Sequence, residues 1–131
     1  IALQLTGGRF NNYNGRASDS LSATTSTSFV EKMSCAWTAG NNGNWLLLVS
    51  GRISGSNTTY STEVRLQLND STTLVQQLAE PQDTTDFMQY GCVDVRNLTT
   101  PRDVDTDYRT ENASATAGIK YARFYCLPLN D

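Results

Sequence analysis

The feature that most constrains the fold is a strict alternation of side-chain type between residues 59 and 69. The even positions are apolar or β-branched: Tyr60, Thr62, Val64, Leu66 and Leu68. The odd positions are polar: Ser61, Glu63, Arg65 and Gln67. Because successive side chains of a strand point to opposite faces, this segment predicts a strand with one face on a core and the other in water.

The rest of the chain predicts about eight strands at spacings of roughly 8–14 residues, with turns between them and no helical period. Besides 59–69, the predicted strands are 1–5, 29–37, 45–53, 72–78, 87–98, 104–110 and 118–127. The run Leu46 to Val49 is apolar on both faces, which indicates a central strand covered on both sides. The fold class is therefore all-β, an antiparallel two-sheet β-sandwich or jelly roll.

Residues 7 to 28 contain few apolar side chains and show no period, which predicts a long loop or an arm. The domain organisation that follows is a polar N-terminal arm over 1–28 and a β-sandwich domain over 29–131. This arm is either a mobile terminus or a segment that becomes ordered against a neighbouring subunit. In the second case Phe10, Tyr13 and Leu21 are the candidate docking anchors.

Composition limits the classes of partner. A length of 131 residues predicts one domain, and the formal net charge is −3 with only two lysines. Such a chain lacks the basic surface that binds phosphate backbones, so no nucleic-acid partner is expected. No apolar run approaches ~18 residues, so no membrane span is expected. A polarity supplied largely by Ser, Thr and Asn suits a virion or extracellular surface.

Three cysteines, Cys35, Cys92 and Cys126, fall inside predicted strands. An odd number without close spacing does not indicate a disulfide framework. It favours buried free thiols that pack as small apolar groups. The alternative is one cross-strand disulfide between Cys92 and Cys126. Trp37 and Trp45 lie in strongly apolar strands, which favours core packing over a sugar-binding platform.

The sequence contains no histidine, which removes the usual general base and the common nucleophile pairs. Asp83 and Asp86 flank two threonines in a predicted loop and fit turn formation better than the opposed carboxylates of a glycosidase. We therefore predict that the chain is not an enzyme, with no catalytic residues and no cofactor.

Asp103, Asp105 and Asp107 are spaced by two, so on one strand they project from the same face. Calcium could bind such a group. However, the sixth and twelfth positions counted from Asp103 hold neither the glycine nor the acid of an EF-hand loop. The pattern favours a solvated acidic strand face, partly neutralised by Arg102 and Arg109, and no metal site is predicted.

Several segments together carry a resemblance to a known family. They are 29–33, 45–51, 60–66, 81–87, 108–112 and 115–124. With them, the stretch from Phe29 to Leu129 resembles the small jelly-roll domain of tailed-phage virion proteins, which occurs in head decoration or cement proteins and in fibre or knob proteins. The resemblance implies a homotrimer around a threefold axis and brings no catalytic residues.

The function expected from this resemblance is that of a capsid decoration or cement protein of a tailed bacteriophage. Such a protein would bind the head surface as an oligomer, with the major capsid protein or another virion protein as its partner. Its location would be the virion surface. The alternative is a glycan- or receptor-binding module of a phage fibre or of an extracellular surface adhesin.

Overall fold

A computed structural model describes residues 14–37, 43–98 and 102–129. Within these ranges the chain forms nine β-strands and no helix. The strands are β1 Asn14–Ser18, β2 Ser22–Thr24, β3 Val30–Trp37, β4 Gly43–Gly55, β5 Thr62–Leu68, β6 Thr72–Ala79, β7 Met88–Leu98, β8 Arg102–Thr110 and β9 Ala117–Pro128. The prediction of an all-β chain is confirmed.

The strands form two antiparallel sheets. The five-stranded sheet has the order β1-β9-β4-β7, with β2 also paired to β9, and the four-stranded sheet has the order β3-β8-β5-β6. From β2 to β9 every connection crosses between the sheets except the β5–β6 hairpin. This connectivity is that of a jelly roll, in which each sheet covers the apolar face of the other. The predicted sandwich is confirmed.

The core lies between the sheets and follows the two-residue period of the strands. Every odd residue of β4 from Trp45 to Gly55 points inward and is buried. The fully buried large apolar side chains are Trp45, Leu47, Ile53, Leu66, Leu98, Val104, Ile119 and Phe124. The packing role predicted for Trp45 is confirmed, whereas the side chain of Trp37 lies outside the described part of the chain. At Gly51 the ring of Tyr90 fills the inward space, so that any side chain there would collide with it.

Strand β4 lies between β9 and β7, as expected for a central strand. The expectation that it is covered on both sides is wrong. Leu47 and Val49 are buried, but Leu46 and Leu48 on the other face are only half-buried. A jelly roll has two layers, so the outer face of each sheet lies at the surface unless side chains or another molecule cover it.

Strand β3 contains a β-bulge between Glu31 and Met33, where its pairing with β8 shifts. An extra residue in one strand reverses which side chains point inward. Met33 is therefore buried in the core, while the ring of Phe29 lies on the outside beneath the guanidinium groups of Arg65 and Arg109. In a regular strand over 29–37 the even spacing of Phe29 and Met33 predicts that they share one face, and the bulge makes this prediction wrong.

The expected loop or arm through residue 28 is wrong for residues 14 to 24. These residues form β1 and β2, and both strands pair with β9. The linker between them is also held in place, because Lys32 Nζ donates to the carbonyl of Ser20 and the hydroxyl of Ser22, and Arg123 forms an ion pair with Asp19. Residues 1–13, including the predicted strand 1–5, lie outside the described residues.

All three cysteines are free thiols, as predicted. Only Cys126 is buried, while Cys35 and Cys92 are half-buried. The alternative disulfide fails on topology, because Cys92 on β7 and Cys126 on β9 lie on opposite sides of β4. Two strand spacings separate them by roughly 9–10 Å, beyond the ~7 Å that a disulfide can span between Cα atoms.

Neighbouring leucines of β4 provide a test of this layering. We expect Leu47→Ala to lower the free energy of unfolding by roughly 2–5 kcal/mol, because it leaves a cavity between the sheets. Leu48→Ala should cost about 1 kcal/mol or less, because its side chain points outward. Urea denaturation of both variants measures the difference. Equal losses in a monomeric protein would contradict the assigned faces.

Candidate functional site

The outer face of the five-stranded sheet carries two rows of apolar side chains. Pairing across β7, β4 and β9 places Val93 beside Leu48 and Leu48 beside Tyr125. Two residues along the strands, Val95 lies beside Leu46 and Leu46 beside Leu127 in the same way. These six residues are named here the apolar rows. Cross-strand neighbours on one face are in side-chain contact range, so the rows form a continuous surface.

The apolar rows are open to solvent at their β7 edge. Val93 is 71% exposed and Val95 is 50% exposed, while Leu46, Leu48, Tyr125 and Leu127 are half-buried. Scattered exposed apolar residues are ordinary, but a contiguous apolar patch marks an interaction surface. The described strand residues on this face include no acidic side chain.

Beyond the apolar rows the same face becomes basic and aromatic. At the bulge where β9 pairs with β4, Tyr121 adopts a left-handed backbone conformation with φ 51° and its side chain is 41% exposed. The Arg52 guanidinium lies 5.6 Å and the Lys120 ammonium 5.4 Å from the centre of the Tyr121 ring. Lys120 also lies 3.7 Å from the centre of the Phe87 ring.

This part of the face is concave. A shallow depression of about 280 Å³ is lined by Ser50, Gly51, Arg52, Gln89, Tyr121 and Arg123. Of its two guanidinium groups, that of Arg123 is already paired with Asp19, which leaves the Arg52 guanidinium and the exposed ring of Tyr121 for a ligand. Guanidinium groups bind carboxylate or sulfate oxygens in a bidentate manner, and a tyrosine supplies an apolar face with a polar end. The depression thus has the chemistry to bind a small acidic ligand.

The outer face of the four-stranded sheet differs, because its charged side chains pair with one another. Arg109 Nε lies 2.8 Å from Glu63 Oε2, and Arg65 Nε lies 2.9 Å from Asp107 Oδ2. Both guanidinium groups also stack on Phe29, at 4.0 Å and 4.5 Å from the ring centre. The expectation that the odd positions of 59–69 lie in water is wrong for Ser61, Glu63 and Gln67, which are buried. The solvated face expected for Asp107 is wrong as well, because Asp107 is buried under this layer. Charges satisfied internally are poor candidates for ligand recognition.

At one end of this sheet three carboxylates converge. Asn69 and Asp70 form the β5–β6 turn, both with positive φ, and Asn69 holds the turn against β8 through two hydrogen bonds with the backbone of Asp103. One carboxylate oxygen from each of Asp70, Asp103 and Asp105 lies within 4.8 Å of the others. We refer to these three residues as the acidic cluster.

Asp105 is the buried member of the acidic cluster, with 4% exposure. Burial, a hydrogen bond with Asp70 and the negative charges of Asp103, Asp70 and Glu31 raise the pKa of Asp105 to about 7. The predicted solvated acidic face is therefore wrong for Asp105, which is neither solvated nor paired with a described cation.

Of the two arginines expected to neutralise these carboxylates, Arg109 does not do so, because it pairs with Glu63 instead of an aspartate of β8. The side chain of Arg102 lies outside the described part of the chain. In the 80–86 loop, the carboxylate of Asp83 accepts hydrogen bonds from the Thr85 hydroxyl and backbone NH, and these bonds lower the pKa of Asp83. This geometry fits the turn-forming role favoured by the sequence.

The candidate docking anchors have different outcomes. Leu21 is 59% exposed, between β1 and β2, and its Cδ1 lies close to Gly118 of β9. Phe10 and Tyr13 lie outside the described residues.

The apolar rows were not predicted from the sequence. Val93 and Val95 alternate with Asp94 and Arg96, a pattern that could have predicted an apolar strand face, but not that this face lies on the outside.

Comparisons with known proteins support the fold alone. No model of a known protein family matches the chain, and a search of curated proteins found no match. Among solved structures, the Eiger TNF of S. frugiperda is similar, with a TM-score of 0.64 and 9% identity over 91% of this chain and 92% of that one. A CBM36-1 domain of a multidomain xylanase from the hindgut metagenome of Trinervitermes trinervoides has a TM-score of 0.48 and 12% identity over 92% of this chain and 100% of that one.

None of the described residues belongs to a helix able to cross a membrane.

The raised pKa of Asp105 predicts a dependence of stability on pH. Its folded-state pKa lies above the ordinary 3.8, so between about pH 4 and pH 7 the folded chain binds this proton more tightly than the unfolded chain does. A shift of one pKa unit corresponds to about 1.4 kcal/mol, so the free energy of unfolding should fall by about 2–4 kcal/mol as the pH rises through this window.

Chemical denaturation across this pH range, with a chelator in the buffer, measures the decrease in the free energy of unfolding. We expect Asp105→Asn to remove most of it, because the amide does not titrate. Asp86→Asn, in the exposed 80–86 loop, is the control and should retain the native profile. An unchanged profile in Asp105→Asn would rule out this carboxyl as the source.

Proposed function

We propose that this chain is a non-catalytic structural module that self-associates through the outer face of its five-stranded sheet. The observation that supports the proposal is the pair of apolar rows, Val93–Leu48–Tyr125 and Val95–Leu46–Leu127, which cross three adjacent strands at the surface. Burying them in an interface removes apolar area from water, which is the main driving force of protein association.

A second copy of the chain is the occupant that fits this face. Four strands at ~4.8 Å spacing, with ladders about 11 residues long, give a surface of roughly 700 Å². A standard interface covers about 800 Å² on each partner. The chain also supplies a complementary charge: Glu80, Asp83 and Asp86 are exposed in the loop before β7, while Arg52 lies on the face beside Arg123, which is paired with Asp19.

Around a rotation axis, the acidic loop of one copy would lie against the arginines of the next. Such a head-to-tail contact closes into a ring if the rotation permits it. The resemblance to tailed-phage virion domains suggests a homotrimer and the surface of a phage head as its setting. In this proposal the N-terminal segment, with Phe10, Tyr13 and Leu21, attaches the oligomer to the major capsid protein or another virion protein, and three copies bound together add avidity.

The absence of histidine from the whole sequence supports a non-catalytic role, as does the internal pairing of the buried Glu63 and Asp107. The polar atoms of these carboxylates contact groups of the chain itself and are not directed at a substrate.

Substitution in the apolar rows tests self-association. We expect Val93→Asp to shift the native mass from an oligomer toward the monomer, because a charge would be buried within the interface. Leu78→Asp is the matched control: Leu78 is 54% exposed, but it lies on β6 of the other sheet and should leave the native mass unchanged.

Light scattering coupled to gel filtration gives the mass of each variant, and denaturation confirms that both fold. A native protein that remains monomeric at the highest concentration reached would refute the proposal. An oligomer equally sensitive to Leu78→Asp would place the interface elsewhere.

A second function, glycan recognition, is favoured by the depression around Tyr121. Its exposed ring lies 5.6 Å from the Arg52 guanidinium, an arrangement suited to a sugar that carries a carboxylate or sulfate group. Neutral sugars would gain the ring contact but not the charge-assisted hydrogen bonds. An acidic glycan is therefore the ligand class that the depression fits best.

A glycan array that contains acidic and neutral sugars tests this second function. We expect reproducible binding of acidic glycans only, and a loss of about tenfold or more on Arg52→Ala, since a charge-assisted hydrogen bond contributes about 1.5–3 kcal/mol. Arg96→Ala is the control, because Arg96 is exposed but lies outside the depression and pairs with Asp94. An array without acidic hits, or equal losses in both variants, would exclude the depression as a glycan site.

A further inference from the structure

The acidic cluster lies on the four-stranded sheet, away from the proposed interface, and contains an unpaired buried oxygen. Asp105 Oδ1 is buried and has no hydrogen-bond partner, whereas Asp107 and Arg109 of the same strand form ion pairs. An unpaired carboxylate oxygen in a buried position is costly, because it loses its water without gaining a donor. A cation bound at the cluster would contact this atom and remove that cost.

Two properties of the cluster define this ligand. Its carboxylates come from two elements, the β5–β6 turn and β8, and one oxygen of each lies within 4.8 Å of the others, so a single cation can contact all three. Ca²⁺ accepts irregular sets of oxygen ligands, whereas Mg²⁺ requires near-ideal octahedral geometry and gives up its water reluctantly. Three carboxylates brought together from a turn and a strand therefore fit Ca²⁺ better than Mg²⁺.

The charges around Asp105 also indicate that the ligand is a cation. The described groups that act on Asp105 are Asp70, Asp103 and Glu31, all acidic. Its neighbours directly across the sheet, Gln67 on β5 and Ser34 on β3, are neutral. None of these described groups is positively charged, so a bound cation would supply the compensating charge.

We infer that Asp70, Asp103 and Asp105 form a calcium site that fixes the β5–β6 turn to the start of β8. The site can be filled from solvent, because Asp70 is exposed and Asp103 is half-buried, while Asp105 closes the inner side. Three carboxylates leave part of the coordination sphere of Ca²⁺ to water, so the affinity belongs in the micromolar to millimolar range of sites with few protein ligands.

Calorimetric titration of the chelator-treated, full-length chain with CaCl₂ tests this site, at a pH above the pKa of Asp105. We expect one Ca²⁺ per chain, a rise in the melting temperature on addition of Ca²⁺, and weaker binding of MgCl₂. Asp70→Asn is the informative variant, because asparagine tolerates the left-handed backbone at this position and the fold should persist. It should weaken Ca²⁺ binding by about tenfold or more, since it removes one of three charged ligands.

Asp86→Asn, with its side chain in the 80–86 loop away from the cluster, is the control and should bind Ca²⁺ as the native chain does. Three results would overturn the inference. The first is a native chain that shows neither heat nor a change in melting temperature with CaCl₂. The second is undiminished binding by Asp70→Asn, and the third is binding of MgCl₂ as tight as that of CaCl₂. None of these results depends on the oligomeric state, so the two proposals fail separately.

Discussion

The apolar layer between the sheets fixes the register on which the other features of the molecule depend. Trp45, Leu47, Val49 and Ile53 of β4 project into this layer, opposite side chains of the four-stranded sheet such as Leu66. Because side chains alternate along a strand, burial of one set places the other set outside. The same constraint that builds the core therefore presents Leu46 and Leu48 at the surface, in line with Val93 and Val95. The proposed interface is thus a consequence of the packing register.

The two outer faces differ in how their side chains are covered. On the four-stranded sheet, buried carboxylates are compensated by Arg65 and Arg109, and Phe29 lies beneath both guanidinium groups. Ion pairs of this kind specify an arrangement more than they stabilise it, since the desolvation of the charges offsets most of their attraction. On the five-stranded sheet, Val93 and Val95 of the apolar rows have no such cover within the described part of the chain. This difference is the physical basis for assigning partner binding to one face only.

The acidic cluster depends on the hairpin turn in a similar way. Asn69 and Asp70 adopt left-handed backbone conformations, which these residue types tolerate better than most. Two hydrogen bonds, from the Asn69 backbone NH to the Asp103 carbonyl and from the Asp103 backbone NH to Asn69 Oδ1, then bring the exposed carboxylate of Asp70 close to the buried one of Asp105. Two elements distant in sequence thereby form a corner whose charge the surrounding described side chains do not balance.

The fold class follows from the sequence because strand periodicity and turn residues are local properties, and all seven strands expected beyond residue 28 lie where the described structure has a strand. Pairings were harder to predict. The bulge at Met33 reversed the face of Phe29, and the polar segment from 14 to 24 became strands because β9 offered it an edge to pair with.

The candidate sites show the same division. The sequence identified Asp103 and Asp105 as neighbours on one strand face, but not Asp70, which joins them only through the hairpin turn. It contained the alternation of Val93 and Val95, but not their alignment with Leu48 and Leu46. By itself the sequence determined the secondary structure, the two-layer architecture and the absence of histidine chemistry, because these depend on residue type and local period. Only the tertiary structure decided which faces are covered and which carboxylates converge, because both depend on the pairing of strands that lie far apart along the chain.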